Sequence, residues 1–155
     1  MNSVAKIVVA TLFCALFLAL SPNNASAQAQ KRHPAYLHAL ADLRDARANL
    51  EHSDHGELLN EEKEAMHHID SAINEIRKAS IDDGKDVNDH TPVDVRLDRH
   101  SRLRHTLELL RKARQDIEQD EDNEFAQGLR HRAFNDIDTA TSEVQAAIHI
   151  VESHS

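Results

Sequence analysis

Beyond its first 27 residues the chain has no cysteine and no tryptophan, and its aromatics there are Tyr36, Phe125 and Phe134 alone. Without cysteine there is no disulfide framework and no thiolate metal site, so a domain of this size must hold together by packing or by other ligands. Without Cys-x-x-Cys-His there is no covalent haem. Proline is confined to Pro34 and Pro92 in the same stretch, so nothing breaks a long helix. Positive charge is also short, with 17 basic against 27 acidic residues after position 27, a formal charge of −10. That balance argues against nucleic acid and anionic membrane as default partners. No nucleophile elbow, phosphate loop or ordered catalytic triad is found, and no enzyme activity is expected.

The first 27 residues read as a signal peptide. Lys6 precedes Ile7–Leu20, a run of 14 mostly apolar residues, and Ala25-Ser26-Ala27 has the small-x-small form of a cleavage site. The run is shorter than the ~20 residues of a membrane helix. Thr11-Leu12-Phe13 before Cys14 does not match a lipobox. The expected product begins at Gln28, is periplasmic or extracellular, and has no membrane span.

What the chain does have is a repeat. HPAYLHALADLRDARANLE (33–51) and HSRLRHTLELLRKARQDIE (100–118) are identical at eight positions, among them His33/His100, His38/His105, Arg44/Arg111, Arg47/Arg114 and Glu51/Glu118. After a one-residue slip, 65–76 matches 133–144, pairing Ala65/Ala133, Ile69/Ile137 and Asp70/Asp138. Each arm has the apolar spacing of a bundle helix: Tyr36, Leu40, Leu43 and Leu50 in the first, Leu103, Leu107, Leu110 and Ile117 in the third. The spacing predicts helices near 34–52, 59–80, 96–119 and 124–152. One hairpin leaves its stripe wet, and two bury all four stripes. The fold expected is all-α, an antiparallel four-helix bundle of two tandem hairpins (33–80 and 96–153) joined by a linker at 81–95, in up-down-up-down order.

Arg47 and Arg114 fall on the apolar seams, flanked by Arg44 and Arg111, with Asp70 and Asp138 beside the facing seams. An Arg–Asp clasp between the arms of each hairpin accounts for these repeats, as does an anion site inside the bundle.

All 12 histidines lie beyond residue 27. Up-down-up-down order would gather His33, His38, His90, His100, His105 and His149 at one end of the bundle, beside the acidic linker. Imidazole with carboxylate suits Zn²⁺, Cu²⁺ or Ni²⁺. His33 and His38 are five residues apart, about 140° around a helix, so one ion needs histidines from several helices. Glu64, His67 and His68 have i, i+3 and i, i+4 spacing and form a secondary candidate, as do His52 and His55 in a loop. The Glu-x-x-His at 64–67 is not repeated, since Arg132 and Asn135 stand at the equivalent positions, so a di-iron centre is not expected.

The two HxxxxH…LRxAR hairpins and the IDDGKDVNDHTPVD linker resemble an uncharacterised family of exported bacterial helical proteins. That resemblance implies a helical exported fold and brings no assigned activity. More distantly, the acidic, His-rich, cysteine-free type is similar to the periplasmic small metal-binding four-helix proteins, though it lacks their dense His heptads. The leading expectation is a non-catalytic bundle that binds or buffers a divalent transition metal. The other is a structural or stress-protective periplasmic interaction protein with pH-dependent charge and no specific metal, for which an unknown envelope protein is the candidate partner.

Overall fold

A computed structural model describes residues 34–52, 57–79, 88–119 and 124–154. His33, His55, Phe125 and linker residues 81–87 lie outside the described side chains. Among the described residues four helices follow in order: α1 (Pro34–Glu51), α2 (Asn60–Ala79), α3 (Arg99–Glu118) and α4 (Glu124–Ser153). Among the described residues no helix is long and apolar enough to cross a membrane.

The helix ends follow from local chemistry. Glu62, at the third position of α2, reaches back to accept the Leu59 N–H at 2.8 Å, one half of a capping box. Glu61 and Glu62 open α2 and Arg77 and Lys78 close it, as the helix dipole favours. Asp98 caps α3 in extended geometry (φ −66°, ψ 167°) and accepts the Ser101 N–H at 2.8 Å. α3 therefore starts three residues later than the periodicity predicts. The preceding residues are held in a turn, with Leu97 N–H on the Asp94 carbonyl at 3.1 Å.

Around the bundle each helix touches two neighbours: α1 packs on α2 and α3, and α4 on α2 and α3. The interfaces between hairpins, α1·α3 and α2·α4, are more extensive than those within them. Leu40, Leu43, Ile69, Ile73, Leu110, Ile117, Ile137 and Val144 fill the centre with small alanines between them. Leu107, expected in the seam, is only partly buried, while Leu109 and Thr106 face inward.

The side-chain pairs give the chain directions. His68 and Ser71 meet Asp136, and Glu75 meets Arg132, so α4 runs against α2. His38 and Asp42 share a cleft with Lys112 and Asp116, while Asp45 and Asn49 share one with His105, so α3 runs against α1. The order is up-down-down-up, not the expected up-down-up-down. All four contacting pairs are antiparallel, and the hairpins are related by an approximate twofold axis across the bundle. α2 and α3 begin at one end, here the Glu62 end; α1 and α4 begin at the other, the His38 end.

The linker must therefore run the length of the bundle. A 20-residue helix such as α3 is about 30 Å long, beyond the reach of a tight turn. The 19 residues between α2 and α3 are enough chain to cover that distance. The linker touches down midway, where Thr91 N–H donates to Asp45 Oδ1 at 2.7 Å.

At the Glu62 end, Arg99 of α3 donates through Nε to Glu62 Oε1 at 2.9 Å, with a second contact from Nη2 to Oε2. Glu62 is 3% exposed, so its charge depends on this guanidinium. The pairing in turn raises the Arg99 pKa above its ordinary value, chiefly through the hydrogen bond to Glu62. Glu62→Ala should lower stability by about 2 kcal/mol, less than the ~3–5 kcal/mol of a fully buried pair because Arg99 is a third exposed. Glu62→Gln, which keeps an acceptor for Leu59, should lose less. Thermal and urea melts followed by circular dichroism check this. A loss under ~0.5 kcal/mol for both would show that the pair adds no more than a surface bridge.

Candidate functional site

The repeated arginines are structural. Arg47 Nε donates to Asp70 Oδ1 at 2.7 Å and Nη1 to Glu51 Oε2 at 2.8 Å. Arg114 Nε donates to Asp138 Oδ1 at 2.7 Å, and Nη1 also meets Glu118. The same three-residue clasp thus ties the arms of both hairpins. Arg114 lies with Cζ 5.0 Å from the Phe134 ring centre, a cation–π contact; Met66 holds the equivalent place in the first hairpin. The flanking pair does not keep the symmetry, because Arg44 is buried and Arg111 exposed.

The histidines expected at one end are divided between two. Reversal of the second hairpin puts His38 with the far half of α3, whereas His105 lies level with Asp45 and Asn49. Their separation along the axis is on the order of 10–16 Å from the helical rise, too far for one ion. His100, His105 and His149 lie toward the Glu62 end, and His90 sits beside the linker's touchdown point, with Nδ1 2.7 Å from the Thr91 carbonyl. Among the described residues no group of three or more His, Cys, Asp or Glu is placed to hold a metal ion as it stands. In the secondary candidate, Glu64 and His67 are exposed while His68 turns into the α2·α4 interface. Its ring stands 5.5 Å from that of His67, at 67°. His52 immediately follows α1 and is half-buried.

What recurs instead is a histidine beside a carboxylate. His68 Nδ1 lies 3.1 Å from Asp136 Oδ1, and Ser71 Oγ donates to Asp136 Oδ2 at 2.7 Å. His100 Nε2 lies 3.0 Å from Glu152 Oε1, and His149 Nδ1 is 3.7 Å from Glu152 Oε2. His105 Nδ1 is 3.8 Å from Glu108. Arg104 lies over the Glu152 group, with Nη2 3.1 Å from Oε1 and Nε 3.1 Å from His100 Nε2. Bonding to His100, then to Arg104, draws the Glu152 pKa down. Asp136 and Glu152 were not among the sequence candidates. Asp136 could have been found, since it occupies the position equivalent to His68 in the other hairpin.

Two clefts line the α1·α3 interface, and the twofold relates them. One, of about 470 Å³, holds His38, Asp42, Lys112, Gln115 and Asp116. The other, of about 300 Å³, lies under the linker and holds Asp45, Asn49 and His105. The repeated histidines thus occupy equivalent places, each over the partner helix of the other hairpin. No protein family, curated protein or solved structure matches the chain.

In the first cleft, burial raises the Asp42 pKa above 3.8, opposed by Lys112 and reinforced by Asp116 and Asp45. Its ionised form is therefore disfavoured by folding. Asp42 contributes most below its unfolded pKa, and that contribution is lost as pH rises through the raised value. Glu75, Asp94, Asp98 and Glu152 have the opposite sign, being held below their ordinary values by hydrogen bonds from Lys78, Arg96, Ser101 and His100 respectively. Asp42→Asn should accordingly raise the melting temperature at pH 7 and leave it unchanged at pH 3. Melts at both pH values check the difference. An equal shift at both would mean that the effect is packing and not charge.

Proposed function

We propose that this chain is an exported, non-catalytic helical bundle whose carboxylate-paired histidines make its surface charge, its self-association and its binding to the anionic envelope surface respond to pH. The observation that carries the reading is the set of His–carboxylate contacts at 3.0–3.8 Å spread along α2, α3 and α4. A neutral imidazole donates from one nitrogen and accepts at the other, whereas the protonated ring donates from both and turns each such contact into an ion pair. Proton uptake is thus accepted by the bundle without unfolding it. Imidazoles change charge between pH ~5 and 8. Twelve of them acting together would take the chain beyond residue 27 from −10 to about +2.

The test is sedimentation velocity and flotation with phosphatidylglycerol vesicles, each run at pH 7.5 and pH 5. Self-association or vesicle binding should appear only at the lower pH, and circular dichroism should stay helical at both. A monomer with unchanged binding throughout would remove the reading.

A second reading is metal binding, and Glu152 favours it. His100 and His149 come from different helices and flank its two oxygens at 3.0 and 3.7 Å. Bonds of ~2.0–2.1 Å in a tetrahedral site set ligand–ligand edges of about 3.3 Å. Because no three ligating groups among the described residues are placed to hold an ion as they stand, Zn²⁺, Cu²⁺ or Ni²⁺ would have to displace Arg104 and draw His100, His149 and Glu152 together, with a further imidazole or water completing the shell. Calorimetry at pH 7.5 should then give a saturable site that is lost in a His100→Ala/His149→Ala variant and weakens as pH falls. Equal binding by the variant would place any metal elsewhere.

A further inference from the structure

The two clefts on the α1·α3 interface share three positions by repeat, His38/His105, Lys112/Asp45 and Asp116/Asn49, and at the second of these a cation in one is an anion in the other. In the His38 cleft, Lys112 lines the wall with Asp42 and Asp116, and its charge counters that of the Asp42 carboxylate. That cleft carries its own cation. In the cleft under the linker, the position equivalent to Lys112 is Asp45, and the position equivalent to Asp116 is Asn49. The local lysine is missing and a carboxylate stands in its place.

Among the described residues none forms an ion pair with that carboxylate. Asp45 Oδ1 accepts a neutral donor, the Thr91 N–H, at 2.7 Å. Asn49 is 7% exposed and its Nδ2 donates to the Asp45 carbonyl at 2.8 Å. The neighbouring Arg96 is committed to Asp94 through two bonds of 2.8 Å, which holds that carboxyl down to about 2. Arg102 donates to the Leu97 carbonyl on the far side of the turn. The opposite wall comes from the linker: Pro92, Val93 and Leu97 are apolar, and beside them lie Thr91 and Asp94, the latter already paired with Arg96.

We infer that this cavity binds a small organic cation, an ammonium group carrying a short apolar body. Asp45 supplies the counter-charge, Asn49 and His105 supply polar edges, and Pro92, Val93 and Leu97 cover the hydrocarbon. The volume of about 300 Å³ lies at the small end of ligand cavities, which limits the ligand to a few carbons. A bare divalent ion fits less well: hard cations take six or more oxygen ligands, and the apolar Pro92, Val93 and Leu97 interrupt the oxygens of Asp45 and Asp94. Lys112 in the sister cleft is a covalent analogue of such a ligand, an ammonium on a short hydrocarbon stem lining the same helix interface.

The experiment is a ¹H–¹⁵N titration of the protein at pH 7 with n-butylammonium, with n-butanol as the neutral isostere and Mg²⁺ as the hydrated inorganic cation. Butylammonium should shift the amides of Asn49, Thr91, Val93 and His105 saturably, and butanol should bind at least tenfold more weakly. Mg²⁺ should not compete. Asp45→Asn, which keeps an oxygen for Thr91 N–H, should weaken butylammonium at least tenfold with an unchanged melt. Lys112→Ala, in the other cleft, should leave this site as it was. Absence of saturable shifts, equal binding of butanol, or full binding by Asp45→Asn would each overturn the assignment. Should Asp45→Asn loosen the linker, seen as altered Thr91 and Val93 amides before ligand is added, the butanol comparison on the unaltered protein decides alone.

Discussion

The structure depends on one packing constraint: each helix of the first hairpin lies antiparallel against its own repeat in the second. α1 faces α3 and α2 faces α4, and these contacts exceed those between the arms of either hairpin. The cause is the apolar stripe. A single hairpin presents Leu40, Leu43, Ile69 and Ile73 on one face with nothing to cover them, and an equivalent face turned by a twofold supplies matching ridges. Antiparallel neighbours also set opposed helix dipoles side by side.

From that arrangement the other features follow. Equivalent ends of the hairpins must fall at opposite ends of the bundle, so the connection between them has to travel its full length. In passing, the linker binds Asp45 and roofs one of two equivalent clefts. The starts of α2 and α3 are brought together, and there Glu62 serves two purposes at once: it caps its own helix and holds the arginine that opens the other. Register within each hairpin is left to the Arg47–Asp70 and Arg114–Asp138 clasps.

Most of the architecture was legible in the sequence because burial has a period. The Tyr36–Leu50 and Leu103–Ile117 stripes located the helices, and the identity of Arg47 with Arg114 and of Asp70 with Asp138 marked groups that now prove to be clasped. Chain direction was not legible from periodicity, because a stripe looks the same in either sense. The linker length did hold the signal: helix–helix connections in bundles usually take 2–8 residues, and one more than twice as long serves to cross between ends. Reading it as a loop across one end placed His38 beside His105 and His100, when the fold separates them. The carboxylates beside the histidines were hidden for a different reason. Asp136 and Glu152 reach His68 and His100 across 68 and 52 residues of chain, and only the pairing of helices decides which positions meet.

His68 and Asp136 occupy the same position in the two copies of the repeat, and they meet near the twofold axis. In a dimer of identical hairpins, symmetry would force that position to face itself, as two imidazoles or as two carboxylates in contact. Joining the copies in one chain removes that compulsion. Each site on the axis can then hold two different side chains, and a location where identical subunits would repel becomes one where acid meets base. The covalent connection therefore does more than raise the local concentration of one hairpin about the other. It permits asymmetry at the centre of a symmetric fold, and Ser71, which also bonds Asp136, belongs to the half that such asymmetry has made distinct.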